Sequence, residues 1–513
     1  MKSDLKKLFL EFYEKEDLKK FEHHLLKYRI KTNYIPNNFE NVLLTYPNSF
    51  ENLQGLSKVV KNKKIKELFD TIHILPMFLS NSDGGFAASS YTKIDTQFGE
   101  WSSIHTIKKN YRIMIDGIFN HTSNEHPWFK KFLDNKKNYK NYYITYNSHF
   151  DYSLVVRPRT TPLFSSYTNK KVLTTFSEKQ IDLNVGEVHV FFEFLKLFHI
   201  YSKKGISTLR LDAIAYIIKK SHSTCANLEE TYNYTQLLIK SAKEINPNLT
   251  IVCEANFPDK ENVSYVTKSK TDLIYQFSFP LLLIYSIHNQ NFSYFLSWFK
   301  NLQEPKKSIF FLSNHDGFAF SGIKNLLQKS DLEKFLKTIK KNSININYRS
   351  NNLEKIPYEI NTTLFSFMKQ LDPNYYLEKY YLLFNILSMM EGKKLLYYLD
   401  LIGEENDVKT FTKTKENRDL HRKKYSLTSF QRKLDSSEIF KKIFNILNNM
   451  KKINLDTVKT KIAFENDLLI ITKIGKKKTT LNISNISNKE VQIPKTRITL
   501  KPYEFVLLNE INS

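Results

Sequence analysis

Eight short apolar runs, each with the profile of a buried strand, recur along this 513-residue chain. Amphipathic segments of helical length separate most of them, such as residues 187–201 and 233–242, so strands and helices are predicted to alternate. Eight such units close a TIM (β/α)8 barrel, an α/β fold whose active site lies at the C-terminal ends of the strands. The predicted strands are 42–46, 72–78, 112–119, 206–214, 249–254, 273–279, 309–313 and 394–399.

Two gaps in this pattern are too long to be ordinary loops, residues 122–195 after the third predicted strand and residues 317–385 after the seventh. We expect two inserted subdomains over the mouth of the barrel. Residues 451–513 change to short alternating strands, which predicts a small C-terminal antiparallel β domain. The barrel itself is then predicted to comprise residues 1–121, 196–316 and 386–450.

Composition excludes several classes of protein. Two cysteines, Cys225 and Cys253, are too few for a disulfide framework, and no run approaches the roughly 18 apolar residues of a membrane span. We therefore expect a cytoplasmic protein without a membrane partner. The formal net charge of +25 invites a nucleic-acid partner. Because the lysines are scattered from end to end, they are better explained as solvated faces, and we expect no nucleic-acid partner.

An arginine and three carboxylates stand out in or after the apolar runs. Arg210 and Asp212 are two residues apart in one run, so a strand would point both side chains to the same face. Buried charges are costly unless they are paired, and the pair alone is explained equally well by structure or by chemistry. Glu254 and Asp316 also end apolar runs. Any one of these acids could simply mark the end of a strand, but three together predict one site.

Four short motifs follow one another in the chain: residues 116–121 (DGIFNH), 209–213 (LRLDA), 253–256 (CEAN) and 313–316 (SNHD). They resemble the four motif regions of the family 13 glycoside hydrolases, the α-amylase family. Further segments are similar to its sucrose phosphorylase subfamily, and the likeness covers most of residues 40–430. These segments are residues 74–78, 82–86, 157–159, 175–183, 254–265, 275–277, 357–361 and 418–422.

The resemblance implies retaining chemistry by two carboxyl groups about 5 to 5.5 Å apart. Asp212 is the expected nucleophile, and we expect Arg210 to keep it ionised by lowering its pKa. Glu254 is the expected acid/base, and Asp316 is expected to hold the sugar hydroxyls as the ring flattens. Asp259 departs from the subfamily, which usually has histidine there.

The resemblance also implies a set of sugar-binding side chains. Asp83 and Arg418 would close the pocket behind a single glucosyl unit, although alone they indicate a turn and a surface charge. The others are His121 and His315 as hydroxyl ligands, Phe176 as an aromatic platform and Gln180 as a polar contact.

Phosphorolysis requires cations near the acceptor. Arg157 and Arg159 are the candidates for phosphate, with Tyr358 and Glu359 shaping the acceptor pocket. The loops could also exclude water without binding phosphate.

The resemblance as a whole implies a phosphorylase that takes a small α-glucoside and inorganic phosphate and yields α-glucose 1-phosphate. The third motif region favours glucosylglycerate over sucrose as the donor, and no metal or organic cofactor is implied. Sucrose 6-phosphate is an alternative donor. A hydrolase or transglucosidase, and an inactive barrel that acts as a binding module, are the remaining alternatives.

Overall fold

The computed structural model describes residues 3–32, 39–159, 161–342, 344–351, 354–476 and 478–511. Its central element is a closed barrel of eight parallel strands, in which each strand pairs with its neighbours in chain order. The predicted TIM barrel is confirmed, and each predicted strand overlaps one of the eight. The barrel strands β1 to β8 are Asn41–Thr45, Thr71–Ile74, Arg112–Ile118, Thr208–Asp212, Thr250–Cys253, Leu273–Tyr275, Ser308–Phe311 and Lys393–Tyr397.

Helices cover the outside of the barrel. The helix Val188–Lys204, which follows β3, buries an aromatic and aliphatic face and ends at Gly205, whose left-handed φ of 89° suits a C-terminal cap. Leu53–Val59 and Lys63–Leu68 follow β1, and Trp101–Ile107 follows β2. Glu229–Ile245 follows β4, and Asp259–Thr267 follows β5. The helices after β6, β7 and β8 are Ser278–His288, Ser293–Asn301, Leu364–Leu371, Tyr376–Met389, Tyr398–Leu401, Val408–Thr414, Leu427–Ser436 and Glu438–Asp456.

Small sheets occupy the two long gaps, after the C-terminal ends of β3 and β7. In the first gap, His121–Ser123 pairs with Gln180–Asp182, and Phe164–Tyr167 pairs with Lys170–Leu173, beside the helix Pro127–Leu133. In the second, a three-stranded antiparallel sheet follows the barrel strand. In their order across the sheet, its strands are Phe318–Ala319, Glu354–Asn361 and Asn345–Asn351. In the chain, the helix Lys329–Lys341 lies between Phe318–Ala319 and Asn345–Asn351.

A four-stranded antiparallel sheet closes the chain, as predicted. Asn482 on this sheet exchanges two side-chain amide hydrogen bonds with Asn385 on the helix Tyr376–Met389, at 2.8 and 2.9 Å. The helix Glu438–Asp456 crosses the predicted boundary at residue 450, and the domain boundaries stay predictions. The strands are Thr457–Glu465, Leu468–Gly475, Lys478–Asn485 and Phe505–Ile511, with a smaller pair formed by Val491–Gln492 and Thr499–Leu500. No helix within the described ranges is long and apolar enough to cross a bilayer.

Two helices precede the barrel, Ser3–Leu10 and Leu18–Tyr28. Phe9 is fully buried between them and the barrel, stacked on Phe21 at 4.4 Å between ring centroids and 6.0 Å from Phe191. No role for these residues was evident from the sequence. Their aromatic face extends the core over the helices that follow β3 and β4.

Because Phe9 joins the first two helices to the barrel, we expect Phe9→Ala to lower the free energy of unfolding by about 3 to 5 kcal/mol. Urea unfolding followed by circular dichroism measures this. Leu26→Ala, at a side chain that is 72% exposed on the second helix, is the matched control and should change stability by less than about 0.5 kcal/mol. Equal effects of the two changes would mean that the helices are not part of the core.

Candidate active site

The Arg210 guanidinium lies at the mouth of the barrel between three carboxyl groups. Its Nη1 donates to Asp116 and, at 2.9 Å, to Asp212 Oδ1, while its Nη2 lies 3.7 Å from Glu254 Oε2. Asp116 also contacts His73 Nε2 at 3.1 Å. All of these side chains are buried or nearly so, so the arginine is the shared counter-charge of the cluster.

Strand register brings this cluster together. Asp116 on β3 is the direct partner of Arg210 on β4, and Asp212 ends the same strand two residues later. Glu254 follows β5, and its Oε2 accepts a hydrogen bond of 3.0 Å from the backbone N–H of Ala213. Ala213 holds that position with a left-handed φ of 51°, which is unusual for a residue other than glycine.

The pKa values of Asp212 and Glu254 are both raised. Burial is the largest cause in each case, and it outweighs Arg210, which lowers both pKa values. Arg210 lowers the pKa of Asp212, as expected, but burial has the larger effect. The motif alone did not show how deeply the end of the strand is buried under the two insertions. Two carboxyl groups around one guanidinium titrate as a pair.

Asp316 lines the same pocket and lies among arginines. Its Oδ1 is 3.1 Å from Arg418 Nη1 and 3.4 Å from Arg422 Nη2. Burial acts to raise the pKa of Asp316, but these cations and His315 lower it well below its usual range. Asp316 is therefore ionised.

Arg418 also contacts Asp83 and Glu359. Its Nη1 donates to Asp83 Oδ1 at 3.1 Å and its Nη2 to Glu359 Oε1 at 3.0 Å. The short helical turn Asn417–His421 carries Arg418, and it is attached to the fourth motif because the His421 ring contacts the His315 carbonyl at 3.0 Å.

His121, Gln180 and Phe176 lie together on the wall formed by the first insertion. Gln180 Nε2 is 3.1 Å from His121 Nε2, and the Phe176 ring lies 5.1 Å from the His121 ring and 5.4 Å from that of Tyr216. Burial lowers the pKa of His121, so the imidazole is neutral. This wall combines an aromatic face with polar atoms, which suits a sugar ring.

Tyr358 and Glu359 both line the pocket although they are consecutive residues of one strand. The register of the ladder shifts at this point. Asn347 is paired with Glu359 and the next residue, Tyr348, with Pro357, so Tyr358 has no partner in this pairing. Tyr358 is thus the extra residue of a β-bulge, which re-aims its side chain.

Two predicted residues do not line the pocket. Arg157 is buried and donates to Thr161 Oγ1 at 2.6 Å, and burial lowers its pKa to about 10. His315 is buried behind Phe86, with the two rings stacked at 5.3 Å, and burial lowers its pKa to about 3. The remaining predicted residues meet in one pocket: Asp83, His121, Arg159, Phe176, Gln180, Arg210, Asp212, Glu254, Asp316, Tyr358, Glu359 and Arg418.

Several residues of the site were not among the predicted ones. Tyr216, Asn256 and Phe86 line the pocket, and Arg422 holds Asp316 from outside it. Arg422 ends the 418–422 motif and Asn256 the 253–256 motif, so position in a motif was the available signal. Among the described residues, no group of three or more His, Cys, Asp or Glu side chains could hold a metal ion.

Comparison with known proteins identifies the family. The model of the α-amylase catalytic domain matches residues 36–438. The chain belongs to the α-amylase family. The resemblance carried by the four motifs is therefore confirmed.

Named relatives and a solved structure align with three quarters or more of the chain. A glucosylglycerate phosphorylase of Escherichia coli (strain K12) is 26% identical over an alignment 505 residues long, which covers 90% of this chain and 90% of the relative. A glucosylglycerate phosphorylase of Spirochaeta thermophila is 30% identical over 399 residues, 75% of this chain and 68% of the relative. The solved structure of a sucrose 6F-phosphate phosphorylase from Thermoanaerobacter thermosaccharolyticum has the same fold, with a TM-score of 0.80 at 23% identity, over 93% of this chain and 97% of that one.

The raised pKa of Glu254 predicts that its carboxylate lowers stability at alkaline pH. A carboxyl group whose pKa is raised by folding makes the native state bind more protons, so stability falls as pH rises above the unfolded pKa. Glu254→Gln removes this loss, and its unfolding free energy should exceed that of the wild type most at pH 8. The excess should be about 1.4 kcal/mol for every tenfold difference in proton affinity between the folded and unfolded states. Denaturant titrations at pH 5, 6.5 and 8 measure it.

The exposed Glu378 offers a control, since Glu378→Gln should leave the pH profile of stability unchanged. A gain in Glu254→Gln that is the same at all three pH values would contradict the raised pKa.

Proposed function

We propose that this chain is a retaining α-glucoside phosphorylase that transfers one glucosyl unit to inorganic phosphate and releases α-glucose 1-phosphate. The observation that carries the proposal is the sharing of Arg210 by Asp212 and Glu254, in a pocket walled by Arg418 and Asp83. Several relatives of the chain are named as sugar phosphorylases, which supports transfer to phosphate as the reaction.

Asp212 is the nucleophile in this proposal, and Glu254 is the general acid and base. The geometry favours an ionised Asp212 and a proton on Glu254, because the guanidinium is 2.9 Å from Asp212 but 3.7 Å from Glu254. Asp212 would attack the anomeric carbon while Glu254 protonates the departing oxygen. Phosphate would then displace Asp212 from the anomeric carbon, and Glu254 would accept a proton from the attacking phosphate.

The carboxylates around Arg418 support a donor with a single glucosyl unit. Asp83 and Asp316 are both held by Arg418, and Glu359 fixes the other edge of that guanidinium. These ion pairs leave carboxylate oxygens to accept hydrogen bonds from sugar hydroxyls. They also close the pocket in the direction in which a longer glucan would extend.

Arg159 is the arginine that we propose for phosphate. Its side chain is 27% exposed at the pocket, and its ion-pair contact with Asp83 is long, at 3.7 Å. Tyr358 and Asn256, which are 3.5 Å apart and line the same pocket, would supply further donors. The buried Arg157 would support the loop that carries Arg159.

Glucosylglycerate is the donor that we favour. Its support is the activity named for the Escherichia coli and Spirochaeta thermophila relatives, together with Asn256 and Arg159 at the acceptor side, where a carboxylate could be bound. Sucrose and sucrose 6-phosphate are the alternatives, and a cytoplasmic location stays a prediction.

The reaction is tested by incubating the protein with inorganic phosphate and glucosylglycerate, sucrose, sucrose 6-phosphate or glucosylglycerol. We expect phosphate-dependent release of α-glucose 1-phosphate, fastest from glucosylglycerate. Asp212→Asn should reduce the rate by about 10⁴-fold or more, because the covalent intermediate cannot form. A coupled assay for glucose 1-phosphate gives the rates.

Each other outcome has a definite meaning. Free glucose at a rate independent of phosphate would make the protein a hydrolase. Activity retained by Asp212→Asn would exclude Asp212 as the nucleophile. No product from any donor, from protein that unfolds cooperatively, would favour the inactive barrel.

The two arginines of the 157–159 loop form a matched pair for the phosphate site. Arg159→Met should raise KM for phosphate by about 10- to 100-fold, the effect of losing one charge-assisted contact. Arg157→Met should leave KM for phosphate near the wild-type value and lower the unfolding temperature instead. Initial rates over a range of phosphate concentrations separate the two parameters, and an equal rise of KM in both variants would contradict the assignment.

A further inference from the structure

Two lysines are buried where the bottom of the barrel meets the C-terminal sheet, on the side away from the active site. Lys394 is the second residue of β8 and is 2% exposed, and Lys473 lies on the strand Leu468–Gly475 and is 1% exposed. Buried lysines are rare unless they are paired. The proposed reaction uses neither of them.

Neither ammonium group has a partner among the described residues. Both Nζ atoms are buried without a hydrogen bond. The carboxylates that act on both lysines are those of Glu40 and Glu391, from beyond ion-pair distance, and Glu391 Oε1 already accepts the backbone N–H of Thr460 at 2.9 Å. An unpaired buried cation costs several kcal/mol, so the arrangement lacks an acceptor.

A third unsatisfied group points to the same place. Thr460 lies directly opposite Lys473 in the antiparallel ladder, so both side chains are on one face of the sheet. The hydroxyl of Thr460 is also buried without a hydrogen-bond partner among the residues that the structure describes. The start of β8 lies against this strand, because Glu391, three residues before Lys394, accepts the backbone N–H of Thr460. Burial and the charge of Lys394 lower the pKa of Lys473 to about 7.

We propose that Lys394, Lys473 and Thr460 form a binding site for a small inorganic oxyanion, of the class of sulfate and phosphate. Two ammonium groups and one hydroxyl supply donors from both sides of the interface, and the several oxygens of an oxyanion can accept from all three at once. The bound ion would join the barrel to the C-terminal sheet. This site is independent of the proposed reaction.

Sulfate is the probe, with the unfolding temperature of the full chain as the readout at constant ionic strength in chloride. Wild type should show a saturable rise of about 2 °C in Tm as sulfate replaces chloride. Lys394→Met and Lys473→Met should lose that rise, and in chloride alone they should be at least as stable as wild type, because a buried unpaired charge has been removed. Lys473→Arg should restore the response to sulfate.

Lys461→Met is the matched control, since Lys461 is an exposed lysine on the neighbouring strand Thr457–Glu465. It should respond to sulfate as wild type does. Sulfate held at Arg159 contributes equally to every variant, so the difference between Lys473→Met and Lys461→Met isolates the second site. Parallel responses of these two variants, or no saturable response in wild type, would overturn the proposal.

Discussion

The buried Arg210 guanidinium organises the mouth of the barrel. A buried cation is tolerated there only because carboxylates surround it. These carboxylates lie on or after three adjacent strands, with Asp116 on β3, Asp212 on β4 and Glu254 after β5. The parallel register between β3 and β4 makes Asp116 and Arg210 direct neighbours. Closure of the barrel and formation of the site are therefore one structural event, since a slip of one residue would turn the charged side chains to the opposite face.

A second arginine, Arg418, has the same role for another group of carboxylates in the pocket. It joins Asp83 after β2, Asp316 after β7 and Glu359 on the second insertion, so residues distant in the chain depend on one guanidinium. The two clusters differ in their protonation. Arginines surround Asp316, whose pKa is low, whereas Asp212 and Glu254 share Arg210 and keep raised pKa values. The pocket thus contains one fixed anion, Asp316, and one titrating pair, Asp212 and Glu254.

The strands and the acids of the site could be predicted from the sequence because each rests on local pattern: apolar runs for strands, and motif residues at their ends. The roles of the other site residues depend on how deeply each side chain is buried and on the conformation of the loops. Arg157 and Arg159 are chemically alike and two residues apart, and only the fold of the irregular loop decides that one is buried against Thr161 while the other meets the pocket. Strict alternation would have separated Tyr358 from Glu359, and a bulge brings them together.

Asp259, the departure in the third motif region, shows how far a sequence difference can be from the chemistry. It begins the helix Asp259–Thr267, where its carboxylate accepts hydrogen bonds from Ser278 at 2.7 Å and from the Trp298 indole, and it does not line the pocket. Its neighbour Asn256, three residues earlier, does line it and contacts Ser321 and Tyr358. The acceptor preference of this protein is therefore expected to depend on the contacts of Asn256, because Asp259 fixes the helix whereas Asn256 lines the pocket.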